Sequence, residues 1–262
     1  MSLAIAGVKH AYALKTVLDG IDLELPAGNI LALVGPSGCG KTTLLHLAAG
    51  LLTLQEGTLD NRFARPAVMF QQPRLLPWKT VRDNIALGLK ALGFSQAERH
   101  ARAATMGRAV GLDAEALDQF PHQLSGGMQS RAALARALVL EPDLLLMDEP
   151  FAALDIGLKA QLHRLLLDHQ AVRGTAVLMI THDLMEAVRL ADAVLVMAPD
   201  PGRIVHRFEL DAPATTRDDD FVHATTARLL HAEDVRACFG LDPLLPPAGA
   251  TVLPGGSPCS PP

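Results

Sequence analysis

The run Gly35-Pro36-Ser37-Gly38-Cys39-Gly40-Lys41-Thr42-Thr43 carries the spacing G-x-x-x-x-G-K-T. Each residue type in it has a use in holding phosphate. Glycines let backbone N–H groups curl around anionic oxygens, and a helix that starts at the end of the run adds the positive end of its dipole. Lys41 offers a mobile ammonium to β- and γ-phosphates, and the Thr42 hydroxyl is a hard oxygen donor suited to Mg²⁺. The bland alternative is a glycine-rich turn with an accidental lysine. Context argues against it. Ile30 to Val34 is a continuous apolar run of the kind a buried parallel strand needs, and Lys41 to Leu52 reads as an apolar-rich helix.

A second group of reactive types ends another apolar run, Leu144-Leu145-Leu146-Met147-Asp148-Glu149-Pro150. Neighbours within a strand point to opposite faces, but at a strand end the chain is free to turn. Asp148 can then enter a Mg²⁺ shell while Glu149 reaches a water beside the γ-phosphate, where in-line attack needs that water oriented and polarised. Two acids after an apolar strand are often only a solvated strand end; the phosphate loop upstream favours the chemical reading. Cys39 sits inside that loop. Backbone N–H groups and the Lys41 ammonium would favour its thiolate and make it reactive. The opposing reading turns its side chain into the core, where it stays inert.

The elements that must position these groups alternate. Strand patterns occupy 3–34, a helix 41–52, short strands 57–70, and a loop Pro73 to Pro77. A helical pattern from Val81 to Leu92 leads into a helix-dense insert over 95–120, with Gly107 and Gly111 as interruptions. Gly126-Gly127 opens a helix to about Leu140. Then come the strand ending at Met147, a helix from Asp155 to Arg173, a strand from Thr175 to Ile180 and a helix from Asp183 to Leu190. A hairpin folds around Pro201-Gly202, and one helix falls within 217–238. Strands alternating with helices predict an α/β fold with a mainly parallel sheet.

Composition sets the class. The chain has 262 residues, 49% hydrophobic and 19% charged, enough for one large domain with a buried core. A net charge of −5 argues against general electrostatic binding to nucleic acid. Three cysteines without a repeated spacing give neither a disulfide framework nor a zinc pattern and fit a reducing compartment. The start carries no signal-peptide pattern, and no apolar run is long enough to cross a bilayer. Service to a membrane would therefore require docking onto a partner that spans it.

Leu124-Ser125-Gly126-Gly127-Met128-Gln129 separates this chain from other phosphate-loop proteins, because it resembles the signature motif of ABC transporter ATPases. The resemblance covers about residues 3–210. It implies a P-loop NTPase fold with a mainly parallel core sheet, a small antiparallel β-subdomain and a helical subdomain at about 78–142. A C-terminal helical extension follows over 211–242, then a Pro/Gly-rich, poorly ordered tail over 243–262. Two anion cradles for one nucleotide make sense if Ser125, Gly126 and Gly127 face the other copy of a homodimer, burying ATP and Mg²⁺ between them.

The same resemblance implies that Tyr12 stacks on adenine, that Gln71 joins Mg²⁺ and the attacking water to a membrane partner, that Asp155 contacts the opposite subunit, and that His182 meets the γ-phosphate. Gln72 leaves the choice of Gln71 ambiguous. Arg74 to Leu89 and Ala198 to Val205 look like the nitrate, sulfonate and taurine importers. That likeness implies a permease docking near Gln71 to Trp78, an indirect solute-binding protein outside the membrane, and a place on the cytoplasmic face. An exporter or lipid-transport cassette and a soluble ABC ATPase are the competing readings. The stretch Thr53 to Val68 is shorter than its counterpart in many relatives, so a trimmed β-subdomain is expected.

Overall fold

The computed structural model describes residues 1–242, so the expected tail from 243 lies outside the described residues. Alternating apolar residues in Ser2–Tyr12 (β1) and Lys15–Pro26 (β2) produce an antiparallel pair, with Leu3 opposite Leu25 and Ile5 opposite Leu23, all four buried. Ile30–Val34 (β3) is buried along its whole length and runs straight into the phosphate loop. Lys41–Ala48 (α1) follows, stopping short of the expected Leu52. Gly50 takes φ 69° there, and Leu51 and Gly50 donate back to the carbonyls of His46 and Leu47. That paired closure ends a helix wherever a left-handed residue is available.

Glu56–Asn61 (β4) then pairs with β1, completing a three-stranded antiparallel sheet of order β2-β1-β4. Pro66–Met69 (β5) joins the other sheet. Val81–Ile85 (α2), Gln96–Ala109 (α3), Ala114–Asp118 (α4) and Gly126–Leu138 (α5) form a helical group. The expected helix to Leu92 breaks into α2 and a 3₁₀ turn over Leu87–Lys90, where Gly88 admits the Leu140 side chain against its backbone. Gly107 does not interrupt α3. It lies within it, because the close approach of Leu117 leaves no room for a side chain. Gly111 does end the turn that follows.

The remaining elements are Leu144–Asp148 (β6), Ile156–Arg173 (α6), Ala176–Ile180 (β7), Leu184–Leu190 (α7), Ala193–Ala198 (β8) and Arg203–Glu209 (β9). Two helices, Asp219–Leu230 (α8) and Glu233–Cys238 (α9), replace the single one expected, with the turn at His231-Ala232. The six-stranded sheet has the order β5-β6-β7-β3-β8-β9, parallel except for β9.

The period of two in these strands builds two core layers. Ala32, Val34, Leu145, Met147, Val177 and Met179 face the helical group, while Leu31, Leu33, Leu144, Leu146, Leu178 and Ile180 face α1 and the antiparallel sheet. The parallel strands therefore end at one edge, where the loop after β3 meets the carboxylates of Asp148, the last residue of β6, and Glu149. At full burial each such Leu or Ile contributes on the order of 2–3 kcal/mol, so the edge is held by the sheet and not by the loops.

The C-terminal segment is fastened by one buried guanidinium. Arg217 donates to the carbonyls of Val188, Ala191 and Ala212, closing the end of α7. Burial lowers its affinity for its proton, with Asp192 opposing that effect. Arg217→Met should leave those carbonyls without donors and lower unfolding free energy by about 2–4 kcal/mol. Urea denaturation followed by circular dichroism measures this; a loss below about 0.5 kcal/mol would mean the anchor is not needed.

Candidate functional site: a phosphate-loop cleft and a separate signature face

Gly40 takes φ 98° as the residue before α1 and offers no side-chain cap. A Cβ there would come within 2.6 Å of Leu18, so only glycine fits. The first amides of α1 consequently have no protein acceptor from a cap, which is the usual state of an anion-binding helix start. Lys41 is buried and bends back over its own loop, its Nζ donating to the carbonyls of Gly35 at 2.8 Å and Pro36 at 2.9 Å.

A cleft of about 290 Å³ opens over this helix start, lined by Val17, Ser37, Gly38, Gly40, Lys41, Thr42, Thr43, Gln71, Asp148 and Glu149, with Ile180 at its floor. The two clusters read from sequence thus meet. Thr42 Oγ1 donates to Asp148 Oδ2 at 2.8 Å across 106 residues of chain. Glu149 continues the sheet by donating its N–H to the Ile180 carbonyl at 2.9 Å, then turns with φ 51°. A left-handed conformation is uncommon for a non-glycine residue and costs on the order of 1–3 kcal/mol. It swings the Glu149 carboxylate off the strand, where Oε2 meets His182 Nδ1 at 2.5 Å. Gln71 lines the cleft and Gln72 does not.

Gly35, Pro36 and Cys39 do not line the cleft. Gly35 and Pro36 act through the carbonyls that hold Lys41. The reactive reading of Cys39 is corrected: its side chain is 1% exposed and packs with Leu18, Leu33 and Met197, so its thiol has no route to solvent. Its Sγ lies 3.6 Å from Lys41 Nζ, inside the loop's core. Tyr12 stands at the end of β1, half exposed, its ring edge-on to His10 at 4.9 Å. It does not reach the cleft, although Val17 on the adjoining strand does. Val17 carried no sequence signal beyond its place in an alternating strand.

The signature residues lie elsewhere. Ser125 caps α5, its Oγ accepting from Met128 N–H at 3.3 Å, and Ser125 and Gly126 are exposed. Gly127 packs beside Ala153 and Leu154, next to Asp155, which caps α6 by accepting from Leu158 N–H at 2.9 Å. Ser125, Gly126, Gly127 and Asp155 therefore share a face, with Ile156 90% exposed beside them, and none of them lines the phosphate-loop cleft.

The chain from Pro73 to Thr80 is held by two side chains that sequence reading passed over. Arg136, on the helix that Ser125 caps, donates to the Pro73 carbonyl at 2.7 Å and the Arg74 carbonyl at 2.9 Å. Asn84 is completely buried; its amide accepts from Leu76 N–H and donates to the carbonyls of Leu76, Lys79 and Thr80. The loop so pinned presents Trp78 at 71% exposure.

A family model described as ABC transporter matches residues 18–152. The chain belongs to that family. Among relatives, it is 45% identical over 230 residues to a taurine import ATP-binding protein of Rhizobium johnstonii, covering 84% of this chain and 87% of that one. It is 44% identical over 227 residues to an aliphatic sulfonates import ATP-binding protein of Corynebacterium glutamicum, covering 86% and 91%. Among solved structures, a dimeric ATP-binding cassette in a post-hydrolysis state with ADP and phosphate superposes with TM-score 0.73 at 26% identity, covering 80% of this chain and 100% of that one. As an ABC ATPase this chain binds and hydrolyses ATP. Among the described residues no helix is long and apolar enough to cross a membrane.

The buried thiol gives a direct test of the loop's geometry. In the folded protein Cys39 should resist a maleimide that labels it once denaturant is added, as read by mass spectrometry of its peptide. Burial and the nearby Cys39 also push the Cys238 thiol up, so it too should react slowly. Cys39→Ala should keep ATP turnover within about twofold of the parent. Rapid labelling of Cys39 that ATP slows would reverse this placement.

Proposed function

We propose that this chain is the ATP-hydrolysing subunit of a solute importer, working as a homodimer on the cytoplasmic face of a membrane beneath a permease. The observation that carries the reading is the separation of two helix starts. The cleft over α1 has the lysine, hydroxyl and carboxylates for a nucleotide, while the exposed start of α5 has amides and Ser125 and stands outside that cleft. One ATP held between the loop of one copy and the signature face of the other uses both.

In that arrangement Lys41 exchanges the carbonyls of Gly35 and Pro36 for β- and γ-phosphate oxygens. Backbone amides from Ser37 to Thr43 surround the phosphates, and Tyr12 stacks on adenine. Thr42, Gln71 and Asp148 would hold Mg²⁺. A hydroxyl, an amide and one carboxylate, completed by phosphate oxygens, fit an ion that keeps few protein ligands, and no cluster of three metal-ligating His, Cys, Asp or Glu side chains occurs among the described residues. Held by those residues, the ion would offset the charge that develops on the transferred phosphoryl group. Glu149 orients the attacking water and takes its proton, with His182 beside it at the γ-phosphate. Ser125, Gly126 and Gly127 donate to the γ-phosphate of the partner copy, and Asp155 meets the partner.

The pinned loop from Gln71 to Trp78 is the joint to the permease. Gln71 senses the nucleotide, Trp78 offers an apolar contact, and Arg136 ties both to the helix that Ser125 caps. The relatives named for taurine and sulfonate import favour import over export and small sulfonates as the solute class, delivered by a binding protein outside the membrane. A net charge of −5 agrees with a protein partner and not nucleic acid.

Mixing two inactive variants tests the shared site. Ser125→Arg and Lys41→Ala should each abolish turnover as homodimers. Mixed in equal amounts, they form heterodimers with one intact composite site, and turnover should recover to about a quarter of the parent. Recovery of nothing would place both residues in one copy's site and remove the dimer from the mechanism.

A further inference from the structure

Outside the cleft, the most heavily buried ionic group among the described residues is built around Glu186 on α7, which is 4% exposed. It lies at the inner wall of a wider groove of about 680 Å³ between α6, α7 and the chain before α8. Its Oε2 accepts the Thr181 hydroxyl at 2.6 Å. Its Oε1 faces Lys159 Nζ at 3.2 Å and His163 Nε2 at 3.4 Å, both on α6, with neither aligned as a hydrogen bond. Asp183 completes the group: it caps α7 by accepting the N–H groups of Met185 and Glu186, and its other oxygen meets Lys159 at 3.3 Å. Thr181 Oγ1 also accepts from Asp183 N–H at 3.1 Å.

Both neighbours of His182 are therefore tied down, while His182 itself is 66% exposed along its side chain and touches Glu149. Burial alone would raise the Glu186 carboxyl, but His163, Thr181 and Lys159 outweigh it and hold it below the usual range. The group stays charged where an isolated carboxyl would neutralise. An uncompensated buried carboxylate is costly, and a Gln at the same place would satisfy Thr181 without charge. Fold stability alone does not call for the ionised form. What the charge does is lock α7, which carries the cap of the His182 turn, onto α6, which begins directly after Asp155.

We infer that Glu186 is a positioning residue for hydrolysis, fixing the Thr181–Asp183 turn so that His182 stands against Glu149 and coupling that turn to the helix behind Asp155. The inference rests on the reading that His182 acts in the ATP site. Glu186 does not line the cleft. It fixes the turn that holds His182 against Glu149, a residue that lines the cleft, and through Lys159 and His163 it makes that contact depend on where α6 sits. A shift of α6 at the dimer face then reaches His182 without passing through the phosphate loop.

A kinetic double-mutant cycle on the full chain tests this. Glu186→Gln should lower kcat by about tenfold and leave KM for ATP within about twofold. His182→Ala should lower kcat further, and adding Glu186→Gln to it should change nothing more, because a residue acting only through His182 has no effect once the imidazole is gone. A Glu186→Gln enzyme with parental kcat, or a double variant whose loss is the product of the single losses, would overturn the inference. Should Glu186→Gln fail to fold, as judged by its thermal midpoint, Thr181→Val enters the same cycle with the same expectations. Full turnover in His182→Ala would instead overturn the role of His182, and with it the position of Glu186 behind it.

Discussion

The hydrogen bond from Thr42 to Asp148 holds the two halves of the nucleotide cleft together. It runs from the first turn of α1, just after the loop that follows β3, to the end of β6, with β7 lying between β3 and β6. A parallel sheet makes this possible, because strands that all run one way release their ends at one edge. The edge is rigid because β3, β6 and β7 are buried from end to end. The loops it carries need little packing of their own and can present glycine amides, a lysine and carboxylates to the cleft. Glu149 is one of five non-glycine residues with positive φ among the described residues, and the one that ends a core strand with a carboxylate turned off the strand direction.

The same design places a second helix start where it cannot serve the first. Ser125 caps α5 on an exposed face beside Asp155, while Arg136 near the other end of that helix grips the carbonyls of Pro73 and Arg74. Arg136 thereby links α5 directly to the loop between Gln71 and Trp78. Behind Asp155, α6 is fastened through Lys159 and His163 to the turn of His182. The exposed face thus has two mechanical routes back to the cleft, one through each helix it caps.

Much of this was legible in the sequence, for identifiable reasons. The phosphate loop, the acid pair and the signature serine are short runs in which residue type and spacing express local chemistry; the structure brings Lys41, Thr42, Asp148 and Glu149 to one cleft, with Gln71, named by the resemblance, lining it and His182, also named by the resemblance, against Glu149. The parallel strands were visible as continuous apolar runs. Helix ends were not, where a glycine's tolerance of close packing decided them: Gly107 was read as a break and lies inside a helix, and Gly50 ends one earlier than its apolar pattern suggested. The direction of Cys39 depended on the inner wall of the loop, formed by Leu18 and Leu33 from other strands, which local chemistry does not encode. Asn84, Arg136 and Glu186 went unnoticed for the same reason. Each is a polar residue in an ordinary helical pattern, and its meaning comes from carbonyls and charges brought to it by tertiary contacts.

The account stands on the cleft being half of a site that a second copy completes. Sedimentation of Glu149→Gln with ATP and Mg²⁺ measures this most directly, because that variant keeps the shape of the cleft while losing the carboxylate proposed to take the proton from water. The predicted result is a species of twice the chain mass with ATP and of single chain mass with ADP. A variant that binds ATP yet sediments at single chain mass would contradict the account.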